Sequence, residues 1–243
     1  MTGALVITAI SAALAAVPVG MVGVPGGSFV FGRTDGDPDE APARRRTLRP
    51  FFIDRFEVNQ AQYADCVRRG LCRPARRYPN LRDPRLPAVG VNYYDAQRYC
   101  RQRGARLPTE AEWERVATVG GKRPYPWGHQ LDCQKANYGN FSGNGPCAPD
   151  KNPGRITPVG SYPMGNSPSG VADLIGNVWE WVADGYDGTA LRVVRGGSCC
   201  SIFLRMHAGN RHRFDPSRRE ADLGFRCAAD AVGEPTVQKE QLW

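Results

Sequence analysis

Glycine and proline interrupt this chain too often for long helices or a large regular sheet to form. The 243 residues include 28 glycines and 20 prolines, and the stretch from Gly120 to Gly176 shows almost no hydrophobic periodicity. A loop of that length is uncommon inside a compact domain and needs crosslinks, metal ions or a function to order it. Because 41% of the residues are hydrophobic, the chain can still bury a core. The sequence therefore predicts a loop-rich domain.

Three short helices are predicted from their start signals. Asn59 can cap a helix that runs to about Arg69, and Asn92 can cap a helix over about 93–103. Thr109 and Glu112 form a capping box for the third. Short strands are predicted at 26–32, 51–54, 192–195 and 223–228.

Eight cysteines indicate an oxidising compartment, because structural disulfides are rare in a reducing cytosol. Cys66 with Cys72, and Cys133 with Cys147, are spaced for short disulfide loops. Zinc is disfavoured, since no C-x-x-C occurs and the chain has only three histidines. We expect a periplasmic, extracellular or envelope-associated protein.

The N-terminus agrees with export. Residues 4–19 form an apolar run with an A-x-A cleavage signal at 13–15. We predict a signal peptide over 1–16, a single domain over 20–230 and a loose tail over 231–243. The alternative for the first segment is an uncleaved anchor, and membrane contact is expected only in that case.

The formal net charge of +8 comes almost entirely from arginine. A basic surface can meet nucleic acid or another anionic polymer. The arginines are scattered apart from short clusters at 44–46 and 76–77, with no basic helix and no nucleic-acid motif. We interpret the charge as compositional bias and expect no nucleic-acid partner.

Several sequence blocks together resemble one enzyme family, that of the formylglycine-generating enzyme or sulfatase-modifying factor. The blocks are GGSFVFG at 26–32, DRFEVNQAQYADC at 54–66, GARLPTEAEWERVA at 104–117, YPWG at 125–128, GNVWEW at 176–181, RGGS at 195–198 and GFRCA at 224–228. The resemblance implies an α+β, C-type-lectin-like fold with little regular secondary structure, stabilised by disulfides. It also implies a disulfide between Cys100 and Cys227.

The resemblance further implies calcium, which takes oxygen ligands on irregular backbone. One site would use the GNVWE block, namely Gly176, Asn177, the Val178 carbonyl and Glu180. A second would use Asn137, the Tyr138 carbonyl and Asp150. The competing interpretation of Asn177 and Glu180 is hydrogen bonding within the loop.

One block departs from the family. The oxidase members hold Cu(I) with two thiolates that are spaced along the segment after the GGS turn, and soft sulfur suits that ion. Here the segment reads RGGSCCSIFLRMHAGNR over 195–211, and Cys199 and Cys200 are adjacent. They could be reactive thiols in a groove, a strained vicinal disulfide, or inert residues on opposite sides of a strand.

These features favour a non-catalytic or altered-activity member of the family that acts through a binding groove for a protein or peptide. The predicted groove residues are Trp181, Ser198, Arg205, Arg211 and Arg213, whose guanidinium groups could hold a carboxylate or phosphate. Alternatively, these arginines form salt bridges within the fold to Asp184, Asp187 or Glu220. Two other functions stay open: a copper-dependent oxidase that generates formylglycine or oxidises a thiol through Cys199 and Cys200, and a structural or assembly protein of the envelope.

Overall fold

The computed structural model describes residues 16–139, 155–201 and 206–231. Short elements alternate with long connections, as the glycine and proline content predicts. The strands are β1 (Met21–Val24), β2 (Gly27–Phe31), β3 (Arg44–Leu48), β4 (Phe51–Asp54), β5 (Trp179–Gly185), β6 (Arg192–Arg195), β7 (Arg211–Phe214), β8 (Leu223–Phe225) and β9 (Ala228–Asp230). The helices are α1 (Gln60–Arg68), α2 (Tyr93–Gln102) and α3 (Glu110–Ala117), with a 3-10 turn at Pro163–Gly165.

The strands of the described residues form three small sheets. Their orders are β1-β4-β9, β2-β3 and β7-β6-β5-β8. In the largest sheet, β5 pairs antiparallel with β6 and parallel with β8, so that Glu180 lies between Arg195 and Gly224. The result is an α+β architecture with little regular structure, as the resemblance implied.

All three predicted helix starts are confirmed. Asn59 and Thr109 each accept a hydrogen bond from the third helical residue, and the side chain of that residue bonds back to the cap in a capping box. Asn92 accepts from the Asp95 N–H. These caps satisfy backbone donors that have no partner within the helix.

Two predicted crosslinks are present in the described part of the chain. Cys66 is joined to Cys72 just after α1, and Cys100 on α2 is joined to Cys227, which is 127 residues away. Cys100 and Cys227 lie in the core with no exposed surface. Cys133 is disulfide-bonded as well, and its predicted partner Cys147 lies outside the described residues.

No helix within the described ranges is long and apolar enough to cross a bilayer. The predicted signal segment and the C-terminal tail fall almost wholly outside those ranges, so both stay predictions.

Candidate functional site

An ion pair with no exposed surface lies at the centre of the GNVWEW block. Arg226 donates to Glu180 from Nη2 to Oε1 at 2.6 Å and from Nε to Oε2 at 2.7 Å. The Trp113 indole N–H also donates to Glu180 Oε2 at 2.9 Å. Because β5 carries Glu180, α3 carries Trp113 and the segment after β8 carries Arg226, this cluster ties three parts of the fold together.

Asn177 joins three loops beside that ion pair. Its φ of 61° lies in the left-handed region, where asparagine is tolerated better than most residues. Its Oδ1 accepts from the Thr157 N–H at 2.9 Å and from Asn137 Nδ2 at 3.2 Å, and its Nδ2 donates to Glu57 Oε2 at 2.9 Å. The amide therefore serves loop hydrogen bonding, as the competing interpretation proposed.

The first predicted calcium donor set does not fit a cation as placed. Both carboxylate oxygens of Glu180 accept from Arg226, and Asn177 Oδ1 already accepts from neighbouring donors.

The second predicted set fits better. Asn137 Oδ1 is buried and has no hydrogen-bond partner. A buried side-chain oxygen without a donor is expected at a position that ligates a cation. Tyr138 is buried next to it, and Asp150 lies outside the described residues. Calcium stays a prediction, and it depends on Asn137.

Two further buried carboxyl groups, those of Glu57 and Asp173, lie near the Arg226–Glu180 ion pair. Burial raises the pKa of Glu57 well above its usual range, with Asp173 and Glu180 as negative neighbours. Burial likewise raises the pKa of Asp173 to about 6. Proton uptake by these groups reduces the repulsion that three buried carboxylates would otherwise create around Arg226.

The two adjacent cysteines lie in a turn after β6 rather than in a strand. The Ser201 N–H donates to the Ser198 carbonyl at 3.1 Å, which makes Cys199 and Cys200 the central residues of a β-turn. They are not joined by a disulfide, and their sulfurs are 3.3 Å apart. The alternative in which the two cysteines lie on opposite sides of a strand is therefore wrong.

The two thiols have different surroundings. Cys199 is 1% exposed and packs with Leu86, Val89, Ile156 and Val178, whereas Cys200 is half-buried at the edge of this cluster. The hydrogen bond with Cys200 and then burial raise the pKa of Cys199. The same hydrogen bond lowers the pKa of Cys200. Burial thus favours the neutral thiol form of Cys199.

Among the described residues, those predicted to line a groove do not form one together. Trp181 has no exposed surface and donates from Nε1 to the Val91 carbonyl at 3.1 Å, so it belongs to the core. Ser198 is buried and its hydroxyl donates to Asp222 at 2.7 Å. Arg205 lies outside the described residues.

The two other predicted groove arginines contact the fold itself. Arg211 donates to both oxygens of Glu110 at 2.9 Å and also pairs with Asp187, one of the acidic partners proposed as alternatives. Arg213 is exposed and donates from Nη1 to the Tyr186 hydroxyl at 2.8 Å. Arg211 therefore stabilises structure instead of offering its guanidinium to a ligand.

Besides Arg226, the fold buries Arg195 of the RGGS block, and the sequence analysis did not predict this. It has no exposed surface and donates to Glu110, to Glu114 and to the carbonyls of Ala208 and Gly209. The signal was available: an arginine at the end of an apolar strand, with two glutamates on the buried face of a helix, predicts a buried pair.

The sequence analysis also did not predict a groove that lies beside α1. A cavity of about 680 Å³ lies between α1 and the segment 74–82. We call it the arginine-rimmed groove. Its lining residues are Gln60, Tyr63, Ala64, Val67, Arg68, Pro74, Ala75, Arg76, Arg77, Tyr78, Pro79, Leu81, Arg82, Ala88 and Val89. The Arg76-Arg77 cluster was its only visible signal.

The fold and the buried GNVWEW cluster define a domain of the formylglycine-generating type. The family model described as "Sulfatase-modifying factor enzyme 1-like domain" matches residues 10–231. The chain belongs to this family.

Named relatives include a protein described as inactive and a longer protein kinase. The mouse protein "Inactive C-alpha-formylglycine-generating enzyme 2" is 34% identical over 91% of this chain and 88% of its own length. "Serine/threonine-protein kinase Pkn1" of Chlamydia trachomatis is also 34% identical, over 86% of this chain, but the chain spans only 38% of that kinase. The solved structure of PvdO from Pseudomonas aeruginosa is 30% identical with a TM-score of 0.69, over 86% of this chain and 94% of PvdO.

Proposed function

We propose that this chain is an exported, non-catalytic member of its family that binds an acidic segment of a protein or peptide in the arginine-rimmed groove. The observation that carries the proposal is the charge of the lining. Four arginines and no acidic residue line the groove; Arg68 is paired with Asp65, so Arg76, Arg77 and Arg82 supply the charge offered to a ligand. A ligand rich in carboxylates is complementary to that surface.

The depth and floor of the groove favour a peptide over a small inorganic anion. Tyr63, Ala88 and Val89 form a buried floor, while Arg76 and Arg82 are exposed at the rim. An apolar side chain can occupy the floor while neighbouring carboxylates reach the guanidinium groups. Arg76 stacks on the Tyr78 ring at 5.5 Å, which holds one rim cation in position.

The absence of a spaced cysteine pair in the sequence supports a non-catalytic role. Only Cys199 and Cys200 follow the GGS turn before Cys227. The resemblance of the chain to a relative named as inactive agrees with this, although that name describes the relative alone. The disulfides support export, because such crosslinks persist in oxidising compartments. The copper-dependent alternative stays an untested prediction.

Fluorescence anisotropy can test the binding site. The probe is a labelled peptide that alternates glutamate with leucine, compared with a peptide of the same length that has lysine in place of glutamate. We expect the wild-type protein to bind only the acidic peptide. Reversing Arg76, Arg77 and Arg82 to glutamate should weaken binding roughly tenfold or more, since three exposed charge pairs are lost.

The matched control reverses three other exposed arginines, Arg44, Arg45 and Arg46 on β3, so both variants have the same net charge. Loss of binding in the groove variant alone supports the proposal. Equal loss in both variants would mean that net charge, not the groove, attracts the peptide. Failure of the wild-type protein to bind, or binding to anionic phospholipid vesicles in preference to the peptide, would overturn the proposal.

A further inference from the structure

A second and smaller cavity lies where the connection between β2 and β3 meets α3, β6 and β7. Its volume is about 190 Å³, and it shares no lining residue with the arginine-rimmed groove. Glu40, Glu114 and Arg195 are buried at its closed end, whereas Pro38 and Arg44 are exposed at its mouth. We call it the Glu40 cavity.

The carboxylate at the closed end has no hydrogen-bond partner. The Glu40 side chain has no exposed surface, and neither of its oxygens accepts a hydrogen bond. His207 Nε2 lies 3.5 Å from Oε1, but burial lowers the pKa of this imidazole to about 4, so it is neutral at pH 7. Because buried carboxylates are normally hydrogen-bonded or paired, this one is suited to a donor or a cation on a ligand.

Two glycines make room for this carboxylate at the cavity wall. A Cβ added at Gly36 would lie 2.1 Å from Glu40 Oε2, and a Cβ added at Gly209 would lie 3.1 Å from the same oxygen. Because Gly209 lines the cavity, Oε2 faces the cavity at this point. Any larger residue at position 36 would displace the carboxylate, so glycine there is needed for the close approach.

The other carboxylates of the lining are already engaged. Glu114 accepts from Arg195 and from a backbone N–H, and Asp187 pairs with Arg211. Asp39 accepts from a tyrosine hydroxyl at 2.6 Å. A calcium ion takes about six to eight oxygen ligands, which one unengaged carboxylate does not supply. The lining therefore favours an organic ammonium group over a metal ion.

Two hydrogen-bond donors of the lining are available to an anionic group. Arg44 forms no ion pair within the described part of the chain, and its guanidinium stacks on the Phe31 ring at 5.5 Å, which holds it beside the cavity. Arg195 Nε is buried and has no hydrogen-bond partner, although both terminal nitrogens of this arginine are bound. The cavity thus offers an acceptor group and two donors.

We propose that the Glu40 cavity binds a small zwitterion, a free amino acid about the size of glycine, with its ammonium group at Glu40 and its carboxylate at Arg44 and Arg195 Nε. The volume sets the size of the ligand. Usual ligand pockets measure about 300–1,000 Å³, whereas 190 Å³ is the volume of about six water molecules. The site does not depend on peptide binding in the arginine-rimmed groove.

Electrostatics favours a ligand that carries both charges. An ammonium group has three donors, which suits two carboxylate oxygens that have none. An anion alone would be buried beside the Glu40 carboxylate, and like charges repel strongly where water is excluded. A cation alone would leave the Arg195 Nε–H without an acceptor. Only a zwitterion serves both groups.

Isothermal titration calorimetry of the full chain can test the site, with glycine as the probe. At about pH 8 the Glu40 carboxylate is ionised, since burial raises its pKa to about 7. Methylamine has the ammonium group alone, acetate has the carboxylate alone, and leucine has both with a much larger side chain. We expect saturable binding of glycine and at least about tenfold weaker binding of the other three compounds.

Three variants test the assigned contacts. Glu40→Gln should weaken glycine binding about tenfold or more, because an amide carries no charge for the ammonium group. Arg44→Gln should weaken it about threefold, because a charge pair at an exposed mouth contributes less. Arg46→Gln is the matched control, since Arg46 stacks on the same Phe31 ring at 5.6 Å but does not line the cavity. Its glycine affinity should equal that of the wild type.

Three results would overturn the proposal. One is the absence of saturable glycine binding at millimolar concentrations, which would mean that ordered water alone fills the cavity. Another is equal binding of glycine and any of the other three compounds. The third is an unchanged affinity in Glu40→Gln, or equal affinities in Arg44→Gln and Arg46→Gln. If a variant fails to fold, the comparison of the four compounds on the wild-type protein still decides.

Discussion

Arg226 and Glu180 form a two-point ion pair in which neither side chain has any exposed surface. The same arginine donates to the Ala172 carbonyl at 2.9 Å, and the same glutamate accepts from Trp113. Burial lowers the pKa of Arg226, but Glu180 and then Glu57 and Asp173 raise it above its usual value, so one cation faces three carboxyl groups. Arg226 therefore provides the positive charge that offsets the buried carboxyl groups of this cluster.

Replacing Arg226 with methionine should be strongly destabilising. It leaves the Glu180 carboxylate buried beside two other acidic groups, and removing one partner of a buried pair costs about 3–5 kcal/mol. Urea denaturation at neutral pH measures the change. The control is Arg68→Met, since Arg68 pairs with Asp65 at 2.5 Å while 74% exposed, and such pairs contribute less than about 1 kcal/mol. Similar losses in the two variants would contradict this account.

The two disulfides should differ in their contributions to stability. In the chain-entropy model, removing Cys100–Cys227 by Cys→Ala replacement of both residues costs about 4–5 kcal/mol, because it opens a loop of 127 residues. Removing Cys66–Cys72 in the same way opens a separation of 6 residues and costs about 2 kcal/mol. Chemical denaturation under non-reducing conditions compares them. Equal costs would indicate that strain or residual structure in the unfolded chain dominates.

Local signals in the sequence predicted the local structure well. Asn59, Asn92 and Thr109 cap helices because the capping hydrogen bonds depend only on residues a few positions away. The resemblance also led to the Cys100–Cys227 disulfide, which no local rule could have predicted.

The positions of Trp181 and of the segment 74–82 depend on long-range packing, which the sequence does not reveal. Trp181 was expected in a groove, yet β5 lies between β6 and β8, which directs this indole into the core. The segment 74–82 has no periodicity, and it is placed by distant partners: the Arg76 N–H donates to the Gly90 carbonyl and the Tyr78 hydroxyl donates to the Arg219 carbonyl. Contacts of this kind leave no pattern in the sequence, so the groove was not predicted.

The calcium prediction now has a specific test. If Asn137 Oδ1 is a ligand, adding millimolar calcium after chelation should raise the Tm, because an ion that binds only the folded state stabilises it. Asn137→Ala should lose this rise, whatever its own starting Tm. Glu180→Gln should keep the rise, because that carboxylate is engaged by Arg226. Absence of a shift in the wild-type protein, or an equal shift with magnesium, would count against a calcium site.

Glu40 provides a pH-dependent prediction. Its side chain has no exposed surface, and neither carboxylate oxygen has a hydrogen-bond partner. Burial raises its pKa from 4.5 to about 7, an effect that the neighbouring positive charges reduce without cancelling. The charged groups that act on it or lie beside it are Arg33, Arg195, Asp37, Asp39 and His207.

The sign of the effect follows from proton linkage. Between pH 4.5 and about 7 the folded state binds more protons at Glu40 than the unfolded state does, so the free energy of unfolding falls as the pH rises. Glu40→Gln cannot ionise and lacks this fall. The variant should therefore gain stability relative to the wild type as the pH rises through that window, levelling off above it at a difference of about 3 kcal/mol.

Urea denaturation of both proteins from pH 4 to pH 8 measures this difference directly. His207 is present in both and titrates in the opposite sense, since burial lowers its pKa to about 4 and its protonation destabilises the fold as the pH falls below 6.5. Subtracting the two profiles removes most of that contribution. A difference that is constant across the range would mean that Glu40 titrates normally and that its carboxylate is solvated after all.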